Sequence, residues 1–568
     1  MKLNIYDLSD DVMIMIFRLL KIEDRIRLER ACSGWKKLLT QSWTRFQCLD
    51  LSITKWRSRP KYSIIKDLIT WGPRNAQMIK SAVIRSGSYL KIIDFAHNEI
   101  ANTVLSRYKF NCANTCILSI ISKHCTHLSS ITINVCCTDG LENFAKNCET
   151  LESISLFGLQ HFDSQKIDKL LEKLIRKNFK INSICLNEIK SLKFLLNVEN
   201  KLKIVNFNVI KESSYDIEYV LVNCIEKSKI SLKKFYLKIF ELDFVKISKV
   251  LRLCTNLNEL KLDVDLFINN DNGTSLKNVF ERCRNIKVLT VNGLKLDSNN
   301  NMSKISTVHW LHYLNADSLE ELNISTGESN QMYMIRDFPI FLNLRHLSLY
   351  GVTFDNEIKF CDSLEMFLNL EKFQLSECNL SMKTSSGKYF FNNCTKLKYF
   401  SFYKNRHNIL DDDHFVNSVS VKLHNLENLY LGLPNLSDAG LKNLSKLKKL
   451  YSMSIFFNSK LSGSSLFELK TLEKLQCVCC KELKEISLRL LIRAASNLRK
   501  LIILYCPHIT RDIINFSIKE KSSNELNQTT LNITACIYNT KATDFNKIYP
   551  GLKLDLIDHD VDVPELEN

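Results

Sequence analysis

The sequence predicts an α/β chain in two parts. Residues 1–47 form a short three-helix segment. Residues 48–554 form a long solenoid of strand–helix repeats, with a parallel inner sheet, outer helices and a horseshoe curve. Three observations predict this. The pattern L-x-x-L-x-L recurs along the chain, most successive starts falling 21 to 33 residues apart. The stretches between copies carry helical spacing, as in Leu221-Val222-Asn223-Cys224-Ile225. The first forty-odd residues carry no copy of the pattern and are apolar at every third or fourth position instead. An acidic tail, 555–568, closes the chain.

The N-terminal segment reads as helix from its spacing. Val12, Ile16 and Leu19/Leu20 make one stripe, and Met13, Phe17 and Leu20 make a second. A helix apolar over so much of its circumference is buried on more than one side. Ser9 is placed to cap it, with Asp10 and Asp11 in a first turn where carboxylates complement the helix dipole. A second helical run starts at Glu23 and puts Leu28, Cys32, Trp35 and Leu39 on one stripe. Three helices this short cannot enclose a core alone, so apolar surface is left for a partner or for the next domain.

Behind it, Leu128-x-x-Ile131-x-Ile133, Leu151-x-x-Ile154-x-Leu156, Leu257-x-x-Leu260-x-Leu262 and Leu319-x-x-Leu322-x-Ile324 show the repeat clearly. So do the copies starting at Leu344, Leu370, Leu397, Leu426, Leu472 and Leu498. Weaker copies start at Leu90, Ile181, Leu202, Leu232 and Ile286, and degenerate ones near Leu450, Gln528 and Tyr549. The second and third anchors alternate with polar residues, the mark of a short strand with one face inward. One strand and one helix cannot bury their own apolar face, so copies must stack. This is the leucine-rich repeat period, somewhat loosened.

Half of the 20 cysteines fall into that register. Cys125, Cys148, Cys254, Cys283 and Cys394 each lie three residues before a first anchor; Cys136, Cys378, Cys480, Cys506 and Cys536 lie three residues after a third. These are tight slots that suit a small apolar thiol, so the cysteines are expected free and buried. This resembles the cysteine-containing subclass of leucine-rich repeats, and Cys506-Pro507-His508-Ile509-Thr510 is the closest copy of its loop. The N-terminal order Leu8-x-Asp10-Asp11-Val12, then Ile16-Phe17-x-x-Leu20, then Leu28-x-x-Ala31-Cys32-x-x-Trp35 resembles an F-box over residues 5 to 47. It departs from that family at Ser9, where proline is usual. The resemblance implies docking to the small adaptor of SCF (Skp–cullin–F-box) ubiquitin ligases, and through it to cullin and RING subunits. By position it places Leu8, Asp11, Val12, Ile16, Phe17 and Leu20 at that interface, with Leu28, Cys32 and Trp35 nearer the internal core. The F-box is commonly fused to this repeat subclass.

Catalytic signatures are missing. There is no phosphate-binding Gly-rich loop, no dinucleotide fingerprint, no H-E-x-x-H and no nucleophile elbow. Cys477-Val478-Cys479-Cys480 contains a C-x-x-C without a second pair at zinc spacing, and both ends occupy repeat slots. Cys112, Cys116, His124 and Cys125 read as one helix packed in the core. The chain is therefore expected to be non-enzymatic, without metal or cofactor, and to act by positioning. No apolar run is long enough to span a membrane and no secretion signal precedes Val12–Phe17, so a cytoplasmic or nuclear location is expected.

The net charge is +17 and the pI about 9.0, yet residues 555–568 hold six acids and no lysine or arginine. The lysines are spread over nearly every repeat, which points away from nucleic acid and toward an acidic or phosphorylated protein partner. Residues flanking the inward anchors face the open side of the sheet. There, Tyr350, Tyr399, Tyr403 and Tyr430 interleave with Lys372 and Lys474, the kind of rigid amphipathic anchors that dominate interfaces. Ile502 and Leu504 are apolar on the same side. The expected function is substrate recognition for an SCF-type ubiquitin ligase; the alternative is a repeat scaffold or enzyme inhibitor without a ubiquitin role.

Overall fold

The computed structural model describes residues 8–20, 22–50, 79–95, 117–135, 137–199, 201–210, 214–239, 244–267, 274–295, 309–326, 333–335, 337–378, 391–403, 412–523, 531–535 and 552–556. The chain divides into two compact units, Met1–Val264 and Asp265–Asn568. The division falls inside the repeat array.

The first unit opens with helices α1 (Asp10–Leu19), α2 (Ile22–Leu28) and α3 (Ser33–Ser42). Its strands follow: β1 (Cys48–Asp50), β2 (Ile92–Asp94), β3 (Ser130–Asn134), β4 (Ser153–Phe157), β5 (Ser183–Ile189), β6 (Ile204–Val209), β7 (Lys234–Ile239) and β8 (Glu259–Phe267). Each pairs in parallel with the next, and the middle anchors are in register: Leu49, Ile93, Ile131, Ile154, Ile184, Val205, Phe235, Leu260. All eight are buried. A slip of one residue would turn every anchor to the open face, at about 1.5–3 kcal/mol per side chain, so the leucine pattern sets the register.

The second unit repeats the scheme with β9 (Val288–Lys295), β10 (Glu321–Thr326), β11 (Tyr333–Ile335), β12 (His346–Tyr350), β13 (Val352–Phe354), β14 (Lys372–Ser376), β15 (Tyr399–Tyr403), β16 (Asn428–Leu431), β17 (Ser452–Phe456), β18 (Lys474–Val478), β19 (Lys500–Leu504), β20 (Leu531–Ala535) and β21 (Leu552–Leu556). Leaving aside β11 and β13, which pair only with each other, each strand joins the next in parallel from Leu289 through Leu322, Leu347, Phe373, Phe400, Leu429, Met453, Leu475, Leu501 and Ile533 to Leu554. Even the copies read as degenerate, near Leu450, Gln528 and Tyr549, deliver strands. Strand β21 takes in Asp555 and Leu556, so the acidic segment starts inside the sheet; 557–568 lie outside the described residues.

Helices cover the other side. The helix Ser164–Lys177 shows how: it buries Ile167, Leu170, Leu171, Leu174 and Ile175, a single stripe at helical spacing. The Asp163 carboxylate caps it by accepting from Lys166 N at 2.8 Å. Several connections expected as helices are single 3-10 turns instead, among them Phe391–Asn393, Leu444–Lys446 and Leu466–Glu468.

One feature of the repeat is invisible in the leucine pattern. Two residues past the third anchor the backbone turns through the left-handed region. Glycine stands there at Gly158 (φ 75°) and Gly351 (φ 67°), where a Cβ would collide with Asn134 Oδ1 and Thr326 Oγ1. Elsewhere ordinary residues accept it: Glu188 (φ 59°), Glu377 (φ 55°), Phe457 (φ 53°), Cys479 (φ 54°) and Tyr505 (φ 54°). Each costs on the order of 1 kcal/mol or more. The turn persists because its N–H groups bond the next strand: Glu377 N to Tyr403 O at 3.0 Å, Cys479 N to Leu504 O at 2.9 Å.

The following position is the cysteine slot. Cys378 Sγ donates to Leu349 O at 3.4 Å, Cys480 Sγ to Ile455 O at 3.8 Å, and Cys506 Sγ to Cys477 O at 3.8 Å. Each acceptor is the third anchor of the preceding repeat, so the thiols stitch neighbouring repeats together. In the repeat of β17 the slot holds Asn458. Its amide donates to Leu433 O (2.8 Å) and Leu436 O (2.9 Å), and its oxygen accepts from Lys460 N (2.9 Å) and Leu461 N (2.6 Å).

Candidate functional site

Two surfaces are candidates, one on the N-terminal helices and one on the open face of the second unit. The helices form two small apolar clusters. Met13, Phe17 and Leu39 are the buried heart of the first, with Leu8, Ile16, Leu20, Leu28, Trp35 and Leu38 packed against it. Ile26, Trp43 and Ala82 form the second, with Ile22 and Phe46. Trp43 Nε1 donates to Glu29 Oε1 at 2.9 Å, and Arg85 Nε reaches Glu29 Oε2 at 2.6 Å. The second cluster thus ties α1–α3 to the helical stretch 79–86, which carries Ala82 and Arg85. The Arg25 guanidinium lies against Trp43 and Phe46 and donates to the carbonyls of Arg18 and Leu20 at the end of α1.

This packing relocates one expected interface residue. Phe17 is 2% exposed and meets Trp35 edge-on, ring centroids 5.9 Å apart. It belongs to the cluster's own core, not to its surface. The reason is rotational: α1 is apolar nearly all round, and which face turns inward is decided by Trp35 and Leu39 of α3. Leu8, Val12, Ile16 and Leu20 are half-buried, and Asp11 is exposed. Two residues outside the expected interface set project furthest: Met15 is 56% exposed and Leu19 88%. With Asp11 they follow i, i+4, i+8 spacing, one face of α1.

Ser9 makes no side-chain cap bond, against expectation; its carbonyl accepts from Met13 N at 3.0 Å. Its φ is −64°, the value a proline ring imposes. Ser9→Pro should therefore fit without strain and stabilise the helices by about 0.4–1 kcal/mol through the unfolded chain. A raised urea midpoint for their unfolding would show it; a lowered one would mean that the serine N–H matters.

The repeat-slot cysteines are core thiols. Every cysteine among the described residues is a free thiol, and most are buried. Burial pushes Cys125, Cys148, Cys224, Cys283, Cys378 and Cys394 up to about 12, so the thiolate is scarcely populated near neutrality. Cys477 and Cys480 are core residues of β18 and its turn; Cys112 and Cys116 lie outside the described residues. Among the described residues no His, Cys, Asp or Glu cluster could hold a metal ion, and no helix is long and apolar enough to cross a membrane.

The open face of the second unit brings four of the six expected contact residues together. Lys372 Nζ lies 5.1 Å from the Tyr399 ring centre, Tyr399 stacks on Tyr430 at 5.1 Å, and Lys474 Nζ lies 6.0 Å from Tyr430. The order follows the strands from β14 to β18. Gln374 Nε2 donates to the Tyr399 hydroxyl at 3.2 Å, and Asn428 Nδ2 to that of Tyr451 at 3.1 Å. Burial, then the neighbouring Tyr430, pushes Tyr399 up to about 12, so its hydroxyl stays protonated. Tyr403 stands apart at the far end of β15, edge-on to Phe456 at 5.2 Å and beside Phe457 at 5.9 Å. Tyr350 is exposed at the end of β12; Ile502 and Leu504 are half-buried.

No family model matches the chain. It is 35% identical over 60 residues to the F-box/LRR-repeat protein 12 of Bos taurus, a match covering 11% of this chain and 18% of that protein. The chain thus spans less than a fifth of the curated relative it matches. Among solved structures, it is similar to an internalin from Listeria monocytogenes (TM-score 0.31, 14% identity, 74% of this chain and 84% of that one). The functional domain of InlJ from the same organism compares at a TM-score of 0.31 and 15% identity, over 55% and 65% of the two chains. The TLR13–ssRNA13 complex compares at 0.35 and 14%, over 84% and 63%. The leucine-rich-repeat fold of this chain rests on its own strand register.

Proposed function

We propose that the chain is a substrate receptor of an SCF-type ubiquitin ligase. Helices α1–α3 dock to the SCF adaptor through Asp11, Met15 and Leu19, with Leu8, Val12, Ile16 and Leu20 alongside and Phe17 as internal support. The open face of the second unit holds a protein substrate on Lys372, Tyr399, Tyr430 and Lys474, with Tyr350 and Tyr403 toward the strand ends. Cullin and RING subunits join through the adaptor. The chain contributes no chemistry: it raises the effective concentration of substrate lysines at the ligase's ubiquitin-loaded enzyme.

The observation that carries this reading is Leu19, almost fully exposed on a helix whose inner faces are already filled, within a segment that has the F-box order of residues. An exposed leucine beside an exposed methionine on one helix face costs solubility and is retained where a partner covers it. The similarity to an F-box/LRR-repeat protein supports the same reading. A scaffold without a ubiquitin role is the second reading. The Trp43–Ala82 cluster favours it, because that contact is how a helical cap would seal the first repeat. It leaves Met15 and Leu19 unexplained. Co-purification with the SCF adaptor decides: Met15→Asp/Leu19→Asp should abolish adaptor capture while the chain keeps its melting temperature. Capture unchanged by the double substitution would remove this face from the interface.

A further inference from the structure

The open face from β14 to β19 differs from the rest of the sheet in its charge. Across its three outward rows stand Lys372, Lys474 and Lys500, with tyrosine, serine, glutamine, asparagine and apolar residues between them and no acid. On the first unit the outward lysines stand among acids: Lys234 meets Glu259 at 2.5 Å, Lys238 meets Asp263 at 2.9 Å, and Lys261, 5.1 Å from the Tyr236 ring centre, lies between these two acids on the same strand. The acids nearest the β14–β19 rows at the strand starts are Glu371, which Lys398 and Arg345 engage, Glu473, which Arg499 engages, and Glu427 at the start of β16. Lys372 and Lys474 instead rest on tyrosine rings, contacts worth about 0.5–1 kcal/mol at such sites and readily exchanged for an anion.

The floor of this region is made of small residues. Ser401 is buried on β15 beside Tyr430, and across Tyr430 Ser452 and Ser454 are buried on β17, between Tyr430 on one side and Lys474 and Gln476 on the other. Ser454 Oγ is fully buried on the outward side of β17 and has no hydrogen-bond partner among the described residues. Such an orphan hydroxyl costs about 1–3 kcal/mol and calls for a ligand atom. Lys474 spans these serines to reach Tyr430, so drawing its ammonium onto an anion uncovers them.

We infer that this face takes an extended anionic segment of the partner protein, with two oxyanion side chains seated on Lys372 and Lys474 across the stacked tyrosines. The inference rests on the reading that this face receives a protein substrate and names what that substrate carries. Lys372 and Lys474 stand four strands apart, about 19 Å at the backbone, which is about six residues of extended peptide. The tyrosine hydroxyls and the Gln374 amide supply further donors between the two ammonium groups. Single-stranded nucleic acid fits less well: base stacking needs a free aromatic face, and Tyr399 and Tyr430 spend theirs on each other and on the two lysines.

The test is fluorescence anisotropy on the full chain with labelled Gly/Ser peptides of about ten residues. One carries two phosphoserines about six residues apart, one two glutamates at the same positions, and one only serines. A thymidine decamer is the fourth probe. At least one anionic peptide should bind tenfold or more tighter than the serine peptide, and whichever does identifies the oxyanion as phosphate or carboxylate. Lys372→Glu/Lys474→Glu should remove that preference, with melting temperature unchanged, while Lys234→Glu/Lys238→Glu should retain it. Equal binding of all peptides, equal loss in both double variants, or tighter binding of the decamer would each overturn the inference. Adaptor capture is read on the same samples. Lys372→Glu/Lys474→Glu should keep it, so a failure of the anionic face and a failure of the adaptor interface give different results.

Discussion

Asn458→Ala is expected to destabilise the second unit by about 4 kcal/mol or more. Asn458 is buried and bonds two carbonyls of the preceding repeat and two N–H groups of its own. Alanine removes four hydrogen bonds and leaves backbone groups in a dry interior, at about 1–3 kcal/mol for each group left unsatisfied. Adjacent repeats share one sheet and a continuous core, so loss at one slot loosens its neighbours. Cysteine at the equivalent positions makes weak bonds to carbonyls only, so Asn458→Cys should recover part of the loss. Urea unfolding read on the second unit checks both: alanine lowers the midpoint most, cysteine less. Equal midpoints for wild type and alanine would show that water replaces the amide.

Phe17→Ala should cost about 3–5 kcal/mol and act locally. Phe17 is one of three buried residues at the heart of the first helical cluster, and Trp35 would lose its edge-on partner. A cluster this small has little else to hold it. The helices α1–α3 should therefore open while the sheet stays intact, visible as fast amide exchange confined to residues 10–42. Leu19→Asp, two positions away, should change stability by about 0.5 kcal/mol or less. The pair separates two roles that spacing alone merges. Protection unchanged in Phe17→Ala would put the core of the helical segment elsewhere.

The contrast between those two residues shows where sequence reading stops. Period fixes that α1 is apolar on several faces; which face turns inward depends on Trp35 and Leu39, and that is a tertiary matter. Strand positions were legible even where the pattern had decayed, because an alternating pair of anchors such as Leu531 and Ile533 suffices to place one face inward. The strand Cys48–Asp50 was too short to announce itself. The left-handed turn was hidden for a different reason: only Gly158 and Gly351 advertise it, while Glu377, Phe457 and Cys479 hold the same conformation through bonds to the next strand. The cysteine slot was legible as a spacing, and its partner carbonyls were not. At the candidate surface, the lysine and tyrosine rows could be read from alternation. The stacking order of Lys372, Tyr399, Tyr430 and Lys474 could not, since it joins side chains from diagonal rather than facing positions. Nor could the buried, unpartnered hydroxyl of Ser454.

The most direct test of the central claim is calorimetric titration of purified SCF adaptor into the full chain and into Met15→Asp/Leu19→Asp. The wild type should show saturable one-to-one binding and the double variant a loss of about a hundredfold or more, since two exposed apolar contacts at an interface core are each worth about 1.4 kcal/mol or more. A folded wild-type chain that shows no binding to the adaptor would contradict the claim.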